Sequence, residues 1–147
     1  MKRVLLTGAA GNLGKAMRKE LAGWADELLL SDIVPVEDLA QGESFQDCDL
    51  ADLDSVLALV KGCDGIIHLG GQSIEGTFEC LMNSNLKGTY HIYEAARQLG
   101  VKRIFFASSN RVMGFHSREE RLDAQSPMRP DSLYGVSKGF GELLAQY

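Results

Sequence analysis

The sequence predicts an α/β fold in which helices cover both faces of a doubly wound parallel sheet. Along its 147 residues, five short apolar runs alternate with helical segments, and such alternation is typical of βαβ units with right-handed crossovers. A glycine-rich turn joins the first run to the first helix. Each run also ends in small or polar residues, which in these sheets border the ligand site. We therefore expect one domain over residues 1–147 with the strand order 3-2-1-4-5.

The composition restricts the classes of partner and compartment. A hydrophobic fraction of 45% is enough for a globular core, and a net charge of −5 without a basic cluster argues against nucleic acid. Cys48, Cys63 and Cys80 are odd in number and lack metal-ligand spacing, so we expect reduced thiols, a cytoplasmic location and no metal. No apolar run has the length of a membrane span or of a signal peptide, so we expect no membrane partner.

The first third of the chain divides into three strands and one helix. A first strand is predicted over residues 3–7, and the helical pattern after the glycine-rich turn covers residues 13–23. A second strand over residues 27–31 precedes a loop over residues 33–43, which contains proline and glycine. Residues 44–48 form a weaker candidate for the third strand.

The next segment contains the second helix and the fourth strand. Asp52 or Asp54 can cap the helix, and its apolar residues recur with helical spacing up to a stop at Gly62. A continuous apolar run over residues 65–69 then predicts a buried strand that ends at two glycines.

The last third begins with one long helix, predicted over residues 77–99 and ended by Gly100. A fifth strand over residues 104–107 follows and ends in Ser-Ser-Asn. Residues 111–131 are polar and irregular, and a final helix runs from residue 132 to the end of the chain.

The glycine-rich turn places glycines at positions 8, 11 and 14, with the spacing GxxGxxG. Gly8 permits a sharp turn, Gly11 lacks a Cβ where a pyrophosphate would approach, and Gly14 lets the helix lie close to the strand. The N–H groups at the start of the helix would then bind the phosphates. Because the standard dinucleotide fingerprint is GxGxxG, a glycine-rich turn without a ligand is the alternative.

Asp32 favours the dinucleotide interpretation because it ends the second strand, 18 residues after Gly14. A carboxylate there accepts hydrogen bonds from both hydroxyls of the adenosine ribose and repels a 2′-phosphate, which favours NAD over NADP. No lysine or arginine follows it directly. The alternative is a turn aspartate ahead of Pro35.

Tyr134 and Lys138 form the most specific chemical motif of the chain. They are four residues apart on the last helix and therefore share one face. A phenol is a poor base at neutral pH, but a nearby cation favours the phenolate, and Lys138 can supply that cation. Tyr134 would then be the general base for an alcohol, with Ser109 holding the substrate oxygen. A surface pair on an amphipathic helix is the alternative.

On these motifs the chain resembles the extended short-chain dehydrogenases/reductases, which implies a Rossmann-type sheet. The matching positions are residues 7–14, Asp32, and residues 49–50, 85–89, 106–110 and 134–138. Within that family it is most similar to the bacterial uronate dehydrogenases. The narrower resemblance rests on residues 48–52, 62–66, 68–71 and 129–131.

The resemblance implies a cofactor site for NAD and a role for each part of it. Asn12 and Leu13 would contact the pyrophosphate, and Asp32 and Ile33 would hold the adenosine ribose. The full set expected to bind the cofactor is Gly8, Gly11, Asn12, Leu13, Gly14, Asp32, Ile33, Asp49, Leu50, Leu69, Gly70, Gly71, Tyr134 and Lys138. Asp49 and Leu50 in this set would border the adenine.

The resemblance also implies catalytic and substrate residues. Catalysis would fall to Tyr134, Lys138 and Ser109. Substrate contacts would come from Ser73, Ser109, Asn110 and Arg111, the last standing where a histidine is expected. Asn85 would support a water network at the lysine, or is simply a polar residue in a long helix.

The implied reaction is the NAD-dependent oxidation of the anomeric carbon of a hexuronate, glucuronate or galacturonate, to an aldarolactone. The sugar acid would be the small-molecule partner. Family members continue beyond the catalytic helix with a substrate-binding part that this chain lacks. We therefore expect the edge at strand 5, with Phe105 or Phe106 uncovered, to favour a homo-oligomer.

Two other functions are compatible with the same motifs. A nucleotide-sugar epimerase or dehydratase of the same superfamily is one, although these usually carry an aromatic residue where Met113 precedes Gly114. The other is a truncated NAD-binding module without turnover.

Overall fold

The computed structural model describes residues 1–147 and contains one parallel sheet in the order β3-β2-β1-β4-β5. The strands are β1 Arg3–Thr7, β2 Glu27–Asp32, β3 Glu43–Asp47, β4 Gly65–His68 and β5 Ile104–Phe106. The register places Leu5 of β1 beside Leu29 of β2 and Ile66 of β4. Both the predicted fold class and the predicted strand order are confirmed.

Five α-helices connect and cover the strands. They are α1 Asn12–Glu20, α2 Leu53–Val60, α3 Phe78–Leu81, α4 Gly88–Leu99 and α5 Leu133–Gln146. A 3₁₀-helix at Asn110–Met113 follows β5. The first helix ends earlier than predicted, because Gly23 adopts φ +79° and turns the chain toward β2.

The long helix predicted over residues 77–99 is present from Phe78 to Leu99, but it is not a regular α-helix throughout. Between α3 and α4 the chain forms a π-helix at Met82–Lys87. Such wide turns insert an extra residue into a helix and occur often at functional sites. Here the π-helix contains Asn85, which is buried at 3% exposure. Helical periodicity alone did not reveal it, because the flanking residues keep a helical pattern.

The core consists of two layers, one on each face of the sheet. Leu5 of β1 points to the face covered by α2 and α4, while Val4 and Leu6 point to the face covered by α1. This alternation follows from the two-residue period of a strand. The sheet is thereby fixed between helices, and the loops after its strands meet at one edge.

Part of the α1 face of the sheet remains uncovered. A groove of about 550 Å³ runs between the end of α1 and β5, with apolar residues forming most of its wall. Trp24 and Phe105 on this groove are 65% and 60% exposed. Phe106 instead packs toward His68 and Tyr93. Of the two phenylalanines expected to lack a cover, Phe105 is therefore the exposed one.

We expect this exposed edge to cause self-association, because apolar surface at an unpaired strand favours contact with a second chain. The Phe105→Glu variant should lower the average mass measured by light scattering at a given concentration. Leu143→Glu is the matched control, since Leu143 on α5 is 58% exposed. A monomeric unmodified chain would contradict the expectation, and a loss of mass only in Leu143→Glu would assign the contact to the helices.

None of the helices combines the length and the apolar character that crossing a membrane requires. No group of three or more His, Cys, Asp or Glu side chains is placed to hold a metal ion.

Candidate active site

A cavity of about 720 Å³ lies at the carboxyl edge of the sheet, above the point where the strand order reverses between β1 and β4. Ligands of doubly wound sheets bind at this point. Every residue that the sequence predicted for cofactor binding lines this cavity. Among the predicted substrate residues, Ser73 lines it as well, whereas Ser109, Asn110 and Arg111 do not.

The glycine turn closes one end of the cavity. Its conformation requires residues without a Cβ atom. Gly8 adopts φ +72°, and a Cβ there would lie 2.8 Å from the backbone nitrogen of Gly70. A Cβ at Gly14 would lie 2.1 Å from the carbonyl oxygen of Gly8. Gly11 differs, because its Cβ would have only that same oxygen nearby, at 3.3 Å. Gly8 and Gly14 therefore serve the packing of the turn, and Gly11 leaves space on the cavity side.

The N-terminus of α1 borders the cavity without a cap. Gly11 is its N-cap residue, no side chain hydrogen-bonds to the first turn, and that turn contains no acidic residue. The N–H groups of a first helical turn have no partner within the helix and carry partial positive charge. This end of the cavity is therefore suited to an anionic group such as a pyrophosphate.

Asp32 is the last residue of β2, and its side chain contacts the glycine turn. One of its carboxylate oxygens accepts from the N–H of Ala10 at 3.0 Å, and the other accepts from the N–H of Val34 at 3.2 Å. Each oxygen retains a further acceptor site for a hydroxyl. Lys138 is the only lysine or arginine that lines the cavity. The end near Asp32 thus has no cation for a 2′-phosphate.

Thr7 and His68 join the ends of β1 and β4 beneath the cavity. The N–H of Gly70 donates to Thr7 Oγ1 at 3.0 Å, and Thr7 Oγ1 lies 2.8 Å from His68 Nδ1. Burial, and secondarily the charge of Lys138, lowers the pKa of His68 to about 3. The neutral ring carries one N–H, so it donates to one of its two hydroxyl neighbours and can accept from the other; the second neighbour is Thr89 Oγ1, 3.4 Å from Nε2. Sequence reasoning gave neither Thr7 nor His68 a role.

Tyr134 and Lys138 occupy the first turns of α5 beside the cavity. Ser132 caps this helix by accepting from the N–H of Gly135 at 3.1 Å. Lys138 is 8% exposed, and its Nζ donates to the carbonyl of Ala107 at 2.9 Å. The same Nζ lies 5.7 Å from the centre of the Tyr134 ring. Burial lowers the pKa of Lys138.

Asn85 connects the π-helix to the catalytic helix through a complete set of hydrogen bonds. Its Nδ2 donates to Ser137 Oγ at 3.1 Å and to the carbonyl of Gln72 at 3.0 Å. Its Oδ1 accepts from the N–H of Gln72 and from Ser84 Oγ, both at 2.7 Å. Asn85 is therefore a buried connecting residue and not a solvated residue of a regular helix, although it does not itself line the cavity.

The residues that follow β5 separate into two groups. Ser108 lines the cavity, and its hydroxyl donates to the carboxylate of Glu142 on α5. Ser109 caps the 3₁₀-helix, where its Oγ accepts from the N–H of Arg111 at 3.2 Å. Arg111 pairs with Asp131 at 2.8 Å. The substrate roles of Ser109, Asn110 and Arg111 remain predictions, and Ser108 is a cavity residue that the Ser-Ser string alone did not single out.

Comparison with known proteins gives consistent matches over this whole arrangement. The sequence model of the NAD dependent epimerase/dehydratase family matches residues 4–147. A uronate dehydrogenase of Pseudomonas putida is 53% identical over 99% of this chain and 54% of its own length. The crystal structure of uronate dehydrogenase from Agrobacterium tumefaciens is 53% identical, with a TM-score of 0.96 over 99% of this chain and 55% of that chain.

A second structure of the Agrobacterium tumefaciens enzyme adds a ligand. It is a tyrosine-to-alanine mutant complexed with NAD, 52% identical, with a TM-score of 0.96 over 99% of this chain and 55% of that chain. The chain described here thus spans about half the length of the curated relatives it matches.

Proposed function

The chain belongs to the NAD dependent epimerase/dehydratase family, and from that membership we propose that it binds NAD and oxidises a hexuronate at its anomeric carbon. The substrate would be glucuronate or galacturonate, and the product an aldarolactone. The observation that carries the proposal is that Tyr134 and Lys138 line the same cavity as the glycine turn and Asp32. The 53% identity to uronate dehydrogenases supports the choice of substrate class.

The residues around the cavity suit NAD at each end. The uncapped N-terminus of α1, with Asn12 and Leu13, would hold the pyrophosphate. Asp32, with Ile33 beside it, would accept from the adenosine ribose hydroxyls, and the absence of a cation at that end disfavours a 2′-phosphate. Asp49 would then border the adenine, where a carboxylate can accept from the exocyclic amine.

Lys138 supports the proposed base because of where its ammonium lies. Three N–H donors are available on a lysine ammonium, and one of them is used by the carbonyl of Ala107. The other two would serve the Tyr134 phenol and the nicotinamide ribose. Tyr134 takes the proton of the anomeric hydroxyl as general base. When bound, NAD supplies the acceptor for the hydride that leaves the anomeric carbon.

Substrate contacts in this proposal come from two loops. Ser73 borders the cavity from the loop after β4. Ser109 and Asn110 follow β5 and would hold sugar hydroxyls, and Ser109 would also hold the reacting oxygen. Arg111 presents a guanidinium whose side chain is 57% exposed, already paired with Asp131. It is the candidate contact for an anionic sugar.

A second candidate function is an NAD-binding module without turnover. One observation favours it: three of the four predicted substrate residues lie outside the cavity wall. The Tyr134–Lys138 pair beside the cavity favours the enzyme.

The deciding experiment combines absorbance and calorimetry. The chain is incubated with NAD and either glucuronate or galacturonate, and reduced nicotinamide is followed by its absorbance. Formation of reduced cofactor with one of the two uronates is expected. NAD binding in the calorimeter without any turnover would instead support the module, and the absence of NAD binding would contradict both functions.

The cofactor preference gives a prediction at Asp32. Asp32→Ala should weaken NAD binding roughly tenfold or more, because charge-assisted hydrogen bonds to the ribose are lost, and should narrow the preference over NADP. Asp47→Ala is the matched control, since Asp47 neighbours Asp32 in the sheet register but does not line the cavity. Titration calorimetry with both cofactors measures the effect. Equal affinities of the unmodified chain for NAD and NADP would refute the assignment.

A further inference from the structure

The loop that follows β4 holds the backbone of Tyr134 at its N–H group. Glu75 extends from this loop, and its Oε2 accepts from the backbone nitrogen of Tyr134 at 2.9 Å. Tyr134 is the second residue of α5, so its N–H has no partner within the helix. A carboxylate at this position also complements the positive end of the helix dipole.

The carbonyl of Tyr134 is connected to the same loop. Ser137 Oγ donates to it at 2.7 Å, and Asn85 Nδ2 donates to Ser137 Oγ at 3.1 Å. Asn85 also pairs with both backbone groups of Gln72, at the start of the loop. The peptide groups on both sides of Tyr134 are therefore tied to one loop, through Glu75 and through Asn85.

Ser73 lies between these two attachments and lines the cavity. Asn85 fixes the loop at Gln72, one residue before Ser73, and Glu75 fixes it two residues later. Glu75 itself does not line the cavity. Its contact with Tyr134 therefore sets the distance between the tyrosine and the loop that carries Ser73, the proposed substrate contact. Glu75 does this from outside the cavity, without touching the proposed NAD or sugar.

We infer that Glu75 is a positioning residue, which fixes Tyr134 and Ser73 relative to each other by accepting from the Tyr134 N–H. The inference rests on the proposed function, in which Tyr134 is the base and Ser73 contacts the sugar. Small displacements of a catalytic group cost up to a hundredfold in rate, because catalysis depends on the approach of the reacting atoms. Glu75 thus acts on turnover through Tyr134 and leaves the cofactor contacts unchanged.

Three variants test this role. Glu75→Ala removes the acceptor, Glu75→Gln keeps an acceptor oxygen without the charge, and Ser132→Ala removes a different cap of the same helix. Glu75→Ala should lower kcat for the hexuronate roughly tenfold to a hundredfold and raise its KM, while the calorimetric affinity for NAD stays within about twofold. Glu75→Gln should restore most of the turnover. Ser132→Ala should lower the melting temperature comparably and keep the turnover.

The exchange of the Tyr134 amide proton, measured by NMR, gives a readout that is independent of turnover. Protection should be lost in Glu75→Ala and retained in Glu75→Gln. Equal losses of kcat in Glu75→Ala and Ser132→Ala would show that Glu75 is only a helix cap and would overturn the inference. If the unmodified protein has no hexuronate turnover, the proposed function fails separately. Unchanged Tyr134 protection in Glu75→Ala would overturn the positioning contact itself.

Discussion

Replacing Tyr134 with phenylalanine is expected to lower hexuronate turnover by roughly 10²–10⁴-fold, the range typical of a lost general base. The change keeps the ring beside the cavity and removes only the oxygen that would take the anomeric proton. NAD affinity should change little, because the pyrophosphate and ribose contacts are assigned to the glycine turn and Asp32. Initial rates with saturating NAD and uronate, together with calorimetry, measure both quantities.

Lys138→Met and Tyr90→Phe complete this experiment. Lys138→Met should lower both turnover and NAD affinity, since the ammonium is assigned to the phenol and to the nicotinamide ribose. Tyr90→Phe is the matched control, because Tyr90 lies on α4, is 46% exposed and does not line the cavity. A Tyr134→Phe protein that keeps most of its turnover would remove Tyr134 from the mechanism, and the pair would then be structural.

Acid is expected to destabilise the fold through His68. Burial, and secondarily the charge of Lys138, lowers the pKa of His68 from 6.5 to about 3 in the folded chain. Between these two pH values the unfolded chain binds a proton at His68 that the folded chain does not. The contribution of this group to the free energy of unfolding is therefore fully present above about pH 6.5 and is lost progressively toward pH 3. At about 1.4 kcal/mol per pH unit, the loss from this group between pH 6 and 4.5 is about 2 kcal/mol.

The measurement is urea unfolding at pH 7, 6 and 4.5, for the unmodified chain and for two histidine variants. His68→Gln should be less stable at pH 7, because the contacts with Thr7 and Phe106 change. On acidification, the further decrease in the free energy of unfolding should be smaller for His68→Gln than for the unmodified chain by about 2 kcal/mol. His91→Gln is the control and should lose stability as the unmodified chain does. Parallel pH dependences for the unmodified chain and His68→Gln would contradict a neutral buried imidazole.

The proposed mechanism needs two structural features that lie far apart in the sequence. The phosphate end of the cavity needs the uncapped N-terminus of α1, whereas the reacting end needs Tyr134 on α5. The two ends share a wall because β1 and β4 are neighbours in the sheet. Thr7 on β1 and His68 on β4 maintain that adjacency through a buried hydrogen bond of 2.8 Å.

Much of the fold and of the cavity lining followed from local sequence. The turn at Gly8 needs φ +72°, which glycine adopts readily, so the spacing of glycines marked the turn directly. Tyr134 and Lys138 share a face because four residues make about one helical turn. The apolar runs gave the strands, and connection rules gave their order.

Other features depended on contacts between distant segments. The π-helix around Asn85 was not predicted, because a π-turn and an α-turn have the same apolar pattern over so short a stretch. The sequence singled out Ser109 at the end of β5, whereas Ser108 is the serine that lines the cavity, since adjacent residues of an extended chain point in opposite directions.

The sequence by itself determined the parallel sheet, the strand order, the glycine turn and the Tyr134–Lys138 pair, because each depends on spacing within one element or on general connection rules. Only the tertiary structure decided that Glu75 meets the N–H of Tyr134, that His68 is buried against Thr7, and that Phe105 is exposed. These are contacts or exposures set by how separate elements pack, and hydrogen-bond partners 59 or 61 residues apart leave no periodic signal in the chain.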